Sequence, residues 1–193
     1  MNNFIQPFGY AELFELADVN QFKYGRFVGF DNEYPEKISW ANNYNKLIGV
    51  TSANYAYLSG NYNEWPEKYK RNEYGDAYLN KETIAKGKLE YDDIYEFQYI
   101  KTYPDEVYSP VLNDNYKDNL NYVKRDIRKE WIPVSLIGRC IVDDNGECVP
   151  GKHCKLYTGD DKSLYGTVVP ADEIGNWFVL KRISEKTIMI LLQ

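Results

Sequence analysis

With 193 residues, 44% of them apolar, the chain is long enough to enclose a core of its own. A net charge of −6, with no basic run beyond KRDIRK at 124–129, offers nothing for a phosphate backbone and excludes DNA and RNA as partners. No apolar run reaches the roughly 18–20 residues that span a bilayer, and MNNFIQPFG lacks both the basic and the apolar parts of a signal peptide; the expectation is a soluble chain made in a cytoplasm, without a membrane partner.

The first patterned stretch is GYAELFELAD at 9–18. Tyr10, Leu13, Phe14, Leu16 and Ala17 surround Glu12 and Glu15, which predicts a short amphipathic helix over Tyr10–Leu16. YGRFVGF (24–30), KISWA (37–41) and KLIGVTSA (46–53) follow, separated by the turn-rich DNEYP and NNYN, and read as short strands.

Residues 59–126 read as an insertion. Pro66, Pro104 and Pro110, with many Asn, Asp and Gly, favour turns. IYEFQYI has a period of two, with Ile94, Glu96, Gln98 and Ile100 on one side and Tyr95, Phe97 and Tyr99 on the other, and predicts a strand or hairpin exposed at its edges. Of the 19 Tyr, 8 Phe and 4 Trp, many fall in Tyr55–Tyr122, chiefly as tyrosine. Tyrosine offers rigid apolar area with a polar tip, so this zone suits packing against another protein surface.

The last zone is the most regular. WIPVSLIGRCIVDD (131–144) is a long strand pattern, DNGEC (144–148) a tight turn and GTVVPAD (166–172) a short strand. NWFVLKRIS (176–184) and TIMILLQ (187–193) form a hairpin around Glu185 and Lys186. The final strand has no polar face, which predicts a C-terminus buried inside a sheet. The fold class expected is mainly β, a β-rich α+β single domain over 1–193 with a short N-terminal helix and the Tyr-rich insertion at 59–126.

Chemistry-bearing clusters are few. CVPGKHC (148–154) brings Cys148, His153 and Cys154 together, with Cys140 one strand earlier. Zinc needs four converging ligands, and the neighbours His153 and Cys154 point apart in extended chain, so no metal is expected. The same geometry denies cysteine–histidine catalysis. A Cys148–Cys154 disulfide across a turn is geometrically open, but reduced, half-buried thiols fit a cytoplasmic origin better. GxSxG, GxxxxGK[ST] and GxGxxG are all missing, so no nucleotide or other cofactor is expected. The acid pairs at 92–93, 143–144 and 160–161 read as solvated loops.

Taken in order, GYAELFELAD, LIGVTSAN (47–54), WIPVSLIGRCIVDDNGECVPGKHCK (131–155) and WFVLKRISEKTIMILL (177–192) resemble one family. It is the autoproteolytic cleavage domain, of glutamic autopeptidase type, found at the C-termini of phage tailspike and neck-appendage proteins, where it acts as an intramolecular chaperone. The family's blocks are similar to S-D-Y-A-E-Y-F-E-W, I-L-G-V-V-S-x-N, V-G-L-L-G-K-x-x-V-x-D-D-G-x-C with a trailing Y-C-K, and V-L-K-R-I-S. The resemblance implies a trimer-forming domain of a virion protein that helps a fibrous passenger assemble and then cuts itself off just before its own opening motif. Its catalytic carboxylate falls on Glu12. A glutamate beside a scissile peptide acts as general acid or base when burial lifts its pKa toward neutrality, and a trimer interface supplies such burial.

Two positions depart from the family. Its Ser-Asp pair falls on Phe8 and Gly9, removing the hydroxyl and the second carboxylate, and Met1–Phe8 holds no passenger to release. The expectation is therefore a viral structural or assembly protein, a homotrimer meeting fibre, tail or capsid components in the virion, with cleavage lost and Glu12 kept for structure, pairing a cation or capping an amide. Two alternatives stay open: a single-turnover autopeptidase working through Glu12, and a cellular binding module sharing only the fold.

Overall fold

The computed structural model describes residues 9–44, 46–92, 94, 97–118 and 121–193. Along the chain lie β1 (Tyr10–Glu15), β2 (Phe27–Phe30), β3 (Ile38–Trp40), β4 (Leu47–Thr51), β5 (Tyr57–Ser59), β6 (Leu79–Asp92), β7 (Phe97–Pro110), β8 (Trp131–Asp143), β9 (His153–Leu156), β10 (Val168–Pro170), β11 (Trp177–Ser184) and β12 (Thr187–Leu192). The described residues fall into two compact units, one of residues up to Tyr62 with Val123–Gln193, the other Asn63–Tyr122. The only helical pieces among them are single 3-10 turns such as Val19–Gln21, begun by the Asp18 side chain accepting from Asn20 N at 2.9 Å.

In the first unit ten strands form one curled sheet whose main path runs β10-β9-β11-β12-β8-β4-β2-β3, with β1 added to β8 and β5 to β1. β8 organises it. Its first half lies between β1 and β4, through Glu12↔Val134 and Thr51↔Val134, while its second half pairs with β12 from Gly138↔Leu192 to Asp143↔Thr187. A parallel bridge from Leu16 to Ile38 joins the end of β1 to β3, so this part of the sheet curls until its ends touch.

Alternation along each strand fills two apolar clusters. Successive residues of β2 feed different ones. Phe27 enters the cluster built with Cys140, Val142, Leu156, Val168, Trp177, Ile188 and Ile190, stacking on Trp177 at 4.1 Å. Val28 enters the cluster of Leu16, Ile38, Ile132 and Val134, edged by Phe14 and Trp40. Burying each such side chain is worth about 1.5–3 kcal/mol. β12 lies between β11 and β8 with Ile188, Met189, Ile190 and Leu192 buried, as its lack of a polar face predicts.

The expected N-terminal helix is a strand. YAELFE buries Ala11 and Leu13 on one side and turns Tyr10, Glu12 and Phe14 to the other. Its apolar set satisfies a helical period locally, but β5 and β8 flank it and offer a complete backbone ladder, and tertiary pairing overrides local preference.

In the second unit the charged KETIAKGKLEYD, unassigned from the sequence, is most of β6. It pairs antiparallel with β7 without a slip, from Leu79↔Pro110 to Asp92↔Phe97. Ile94 sits in the turn, while Tyr95 and Glu96 of the expected strand lie outside the described residues. Gln98 and Ile100 share a face, opposite Tyr99, as the period of two requires.

Candidate functional site

Glu12 lies mid-sheet, with Ser59 of β5 as its partner on one side and Val134 of β8 on the other. This backbone is fixed on both edges. The side chain, half-buried, shares its face with Tyr10 and with Phe14, whose ring meets Phe30 edge-on at 6.4 Å. The carboxylate therefore sits at the border of an apolar cluster.

Among the described residues the Glu12 carboxylate meets neither the expected cation nor an amide donor. The cation goes to Glu15, which holds Lys37 Nζ at 2.8 Å and raises the lysine's pKa through that hydrogen bond.

Three residues upstream the backbone explains one of the departures from the family motif. Gly9 has φ +87, and a Cβ built there would stand 2.6 Å from the Ile137 carbonyl oxygen. Gly138, φ +107, faces it, and a Cβ there would stand 2.8 Å from the Gly9 Cα. Two glycines thus touch backbone to backbone at the start of β1. The Gly9 carbonyl accepts from Ala56 N at 3.0 Å and Tyr57 N at 3.3 Å, which anchors the turn into β5. Where the family pattern has its second carboxylate this chain has Gly9, and on this backbone a side chain there would meet the Ile137 carbonyl. Phe8, where the hydroxyl would stand, lies outside the described residues.

The acids at 143–144 are not the solvated loop that their sequence suggests. Asp144 is buried, and its two oxygens take Arg182 Nη1 at 3.2 Å and Nη2 at 2.8 Å and the Cys148 amide at 3.0 Å. The same guanidinium donates to the carbonyls of Ser184, Glu185 and Cys148. Asp143 accepts from Lys23 Nζ at 2.5 Å and forms an ion pair with Arg26, whose Nε lies 3.1 Å away. Arg26 in turn donates to the Ser163 and Tyr165 carbonyls. The overlooked signal was Arg182 itself: an arginine inside the strand pattern VLKRIS needs a partner at a fixed place.

The three cysteines are free thiols and fully buried rather than half-buried. Burial pushes Cys140 up to about 11, and the Cys154 thiol, burial and Asp144 all hold Cys148 in its neutral form. Cys154 points into the core, whereas His153, the preceding residue of β9, faces the other way with its ring edge-on to Phe178 at 5.6 Å. Among the described residues no three His, Cys, Asp or Glu side chains gather as metal ligands would.

Set beside known proteins, the chain matches the Peptidase_G2 family model, described as the IMC (intramolecular chaperone) autoproteolytic cleavage domain, over residues 2–183. It is 28% identical over 176 residues to the preneck appendage protein of Bacillus phage PZA, a span of 91% of this chain and 17% of that protein. It is also 28% identical over 134 residues to the pre-neck appendage protein of Bacillus phage B103, covering 69% of this chain and 13% of that one. The chain therefore spans less than a fifth of either relative's length. Among solved structures it resembles the pre-mature gene product 12 of bacteriophage phi29, with a TM-score of 0.69 at 20% identity, covering 96% of this chain and 21% of that one. The C-terminal fragment of the same phi29 protein gives 0.64 at 20% identity, covering 95% and 99%. At that identity the two structures establish a shared fold.

Proposed function

This chain belongs to the family of IMC autoproteolytic cleavage domains, and from that premise we propose that it is a structural and assembly domain of a phage appendage, trimeric in the virion, that does not cut itself. Its relatives are neck-appendage proteins of phages, which supports a virion location and partners among fibre, tail or capsid proteins. The fold that carries the family's four sequence blocks is complete here, which supports retention of the assembly role.

The observation that carries the loss of cleavage is the Gly9–Gly138 contact. A cut that needs a second acid beside the Y-A-E glutamate has no place for it, since a Cβ at Gly9 would stand 2.6 Å from the Ile137 carbonyl oxygen. A lone glutamate has to serve as both acid and base, and general acid–base catalysis loses about 10²–10⁴-fold for each missing partner. Incubating the purified protein and measuring its intact mass tests this. The expected result is an unchanged mass for wild type and Glu12→Ala alike, with light scattering giving three copies; a monomer at micromolar concentration overturns the assembly reading.

One observation favours the autopeptidase as a second reading. Glu12 is half-buried with its carboxylate uncommitted among the described residues, a wasteful arrangement for a purely structural side chain. Loss of N-terminal residues in wild type but not in Glu12→Ala would establish it.

A further inference from the structure

In the second unit two tight turns come together around a cavity. WPEK at 65–68 closes with Lys68 N donating to the Trp65 carbonyl at 3.0 Å, and Pro66 supplies the fixed φ that the second position of such a turn favours. NDNY at 113–116 closes with Tyr116 N donating to the Asn113 carbonyl at 3.0 Å. Asn113 Oδ1 also accepts from Asn115 N at 3.2 Å, the local bond that favours asparagine at the head of a turn. The turns are locked to each other. Asn113 N donates to the Lys68 carbonyl at 2.9 Å and Lys70 N to the Val111 carbonyl at 2.8 Å, on either side of the Tyr69↔Leu112 bridge.

Trp65, Glu67, Asn113, Asn115, Tyr116 and Lys117 line the cavity, which measures about 210 Å³, the share of roughly seven waters. Its aromatic walls are held in place. The Trp65 ring packs against Tyr122 at 5.1 Å and 69°. Lys68, tied to Glu64 at 2.6 Å, lies 5.6 Å over the Tyr116 ring and 5.1 Å over Tyr69. The polar part of the lining is uncommitted: among the described residues the side chains of Glu67, Asn115 and Lys117 meet no hydrogen-bond or ion-pair partner.

We propose that this cavity binds one ring of a neutral saccharide. Each part of a pyranose has a counterpart here. Its C–H face suits the negative faces of the Trp65 and Tyr116 rings. The hydroxyls around its edge both donate and accept; Glu67 accepts, Lys117 donates, and the Asn113 and Asn115 amides do both. Charge narrows the class. One carboxylate and one ammonium leave the lining neutral, so a phosphate or sulfate ester would bring its charge beside Glu67 with a single cation to answer it. A wholly apolar ligand would strip water from Glu67, Asn115 and Lys117 and return no hydrogen bond. The volume, below the roughly 300 Å³ at which sites for larger ligands begin, admits one ring. This binding is separate from the assembly role proposed above and needs no second copy of the chain.

The test is nuclear magnetic resonance of the full chain titrated with the methyl glycosides of glucose, galactose and N-acetylglucosamine. Each is taken to about 50 mM, well past the roughly millimolar Kd expected of one ring held by a few polar groups. The expected result is a saturable shift, with at least one sugar, of the Trp65 indole N–H, identified by its loss in Trp65→Phe, and of the amides over 113–117. Glu67→Ala and Asn115→Ala each weaken that sugar at least about 10-fold, while Tyr74→Ala, an exposed ring of the same unit outside the lining, changes it less than about 2-fold. Glu67 and Asn115 are exposed, so their truncation leaves the fold intact, and unchanged amide shifts away from the two turns verify this. No saturable shift with any of the three sugars overturns the proposal, as does equal affinity in wild type, Glu67→Ala and Asn115→Ala. Caffeine, a flat ring system without hydroxyls, serves as the contrast: tighter binding of caffeine than of every sugar makes the cavity an aromatic slot and overturns the saccharide assignment.

Discussion

Gly9 is the residue on which sequence and chemistry diverge most sharply from the family pattern, and its constraint is measurable. A non-glycine residue at positive φ costs roughly 1–2 kcal/mol, and forcing a Cβ to within 2.6 Å of the Ile137 oxygen adds about 1–3 kcal/mol of overpacking. Gly9→Asp, which restores the family's acid, is therefore expected to lower stability by about 2–5 kcal/mol in urea titrations and to leave the intact mass unchanged; a stable Gly9→Asp protein that cleaves would overturn the steric argument. Buried thiols give a second prediction. The Cys140 pKa rises from 9.0 to about 11 through burial, so the folded state resists the ionisation that the unfolded chain undergoes. Its contribution is whole below pH 9.0 and is lost as pH climbs through about 11, because there the folded state holds the extra proton. Urea midpoints should fall between pH 8.5 and 10.5, and Cys140→Ala should flatten that fall while lowering the midpoint at every pH.

Among the elements, the β11–β12 hairpin depends on a buried ion pair rather than on its turn alone. Arg182 fastens the hairpin end to Asp144, the residue after β8, and to carbonyls on both sides of the turn. Asp144 is wholly enclosed, so Arg182→Ala leaves an unpaired buried carboxylate and is expected to cost about 3–5 kcal/mol. Arg182→Lys recovers only part, since an ammonium cannot fork; equal stability of the two variants in urea would refute the forked role. The same scale shows what the sequence makes legible. β8, β11 and β12 are readable because their alternation or unbroken apolarity has one solution. β1 is not, because Leu13, Leu16 and Ala17 satisfy a helical period while Ala11 and Leu13 satisfy a strand, and the strand on β8 that decides between them is more than a hundred residues away. β6 is hidden for another reason: its charged residues alternate with few strong apolar ones, so its pattern looks like a charged loop. Glu12 is found by its motif, whereas the glycine contact beside it and the enclosure of Asp144 are tertiary facts.

For the molecule as a whole, both apolar clusters draw only on residues before 63 and after 122, so the first unit carries its own core. The two chain ends where the second unit departs are already held together. Arg125 donates to the Gly60 carbonyl at 3.2 Å and lies 4.9 Å over the Tyr62 ring, while the same guanidinium rests 3.9 Å above Trp131 at the start of β8. Replacing residues 63–122 by three or four Gly/Ser residues therefore spans a gap that the fold has already closed, and a shorter loop lowers the entropy of closure. The shortened protein is expected to keep its strand circular dichroism and to melt in one cooperative step, with a midpoint within a few degrees of the full chain. If the second unit is instead required to build the first, the shortened chain will bind a hydrophobic dye and lose its transition. That outcome would make the two units one folding unit, and the β6–β7 hairpin a part of the core's assembly rather than a platform carried by it.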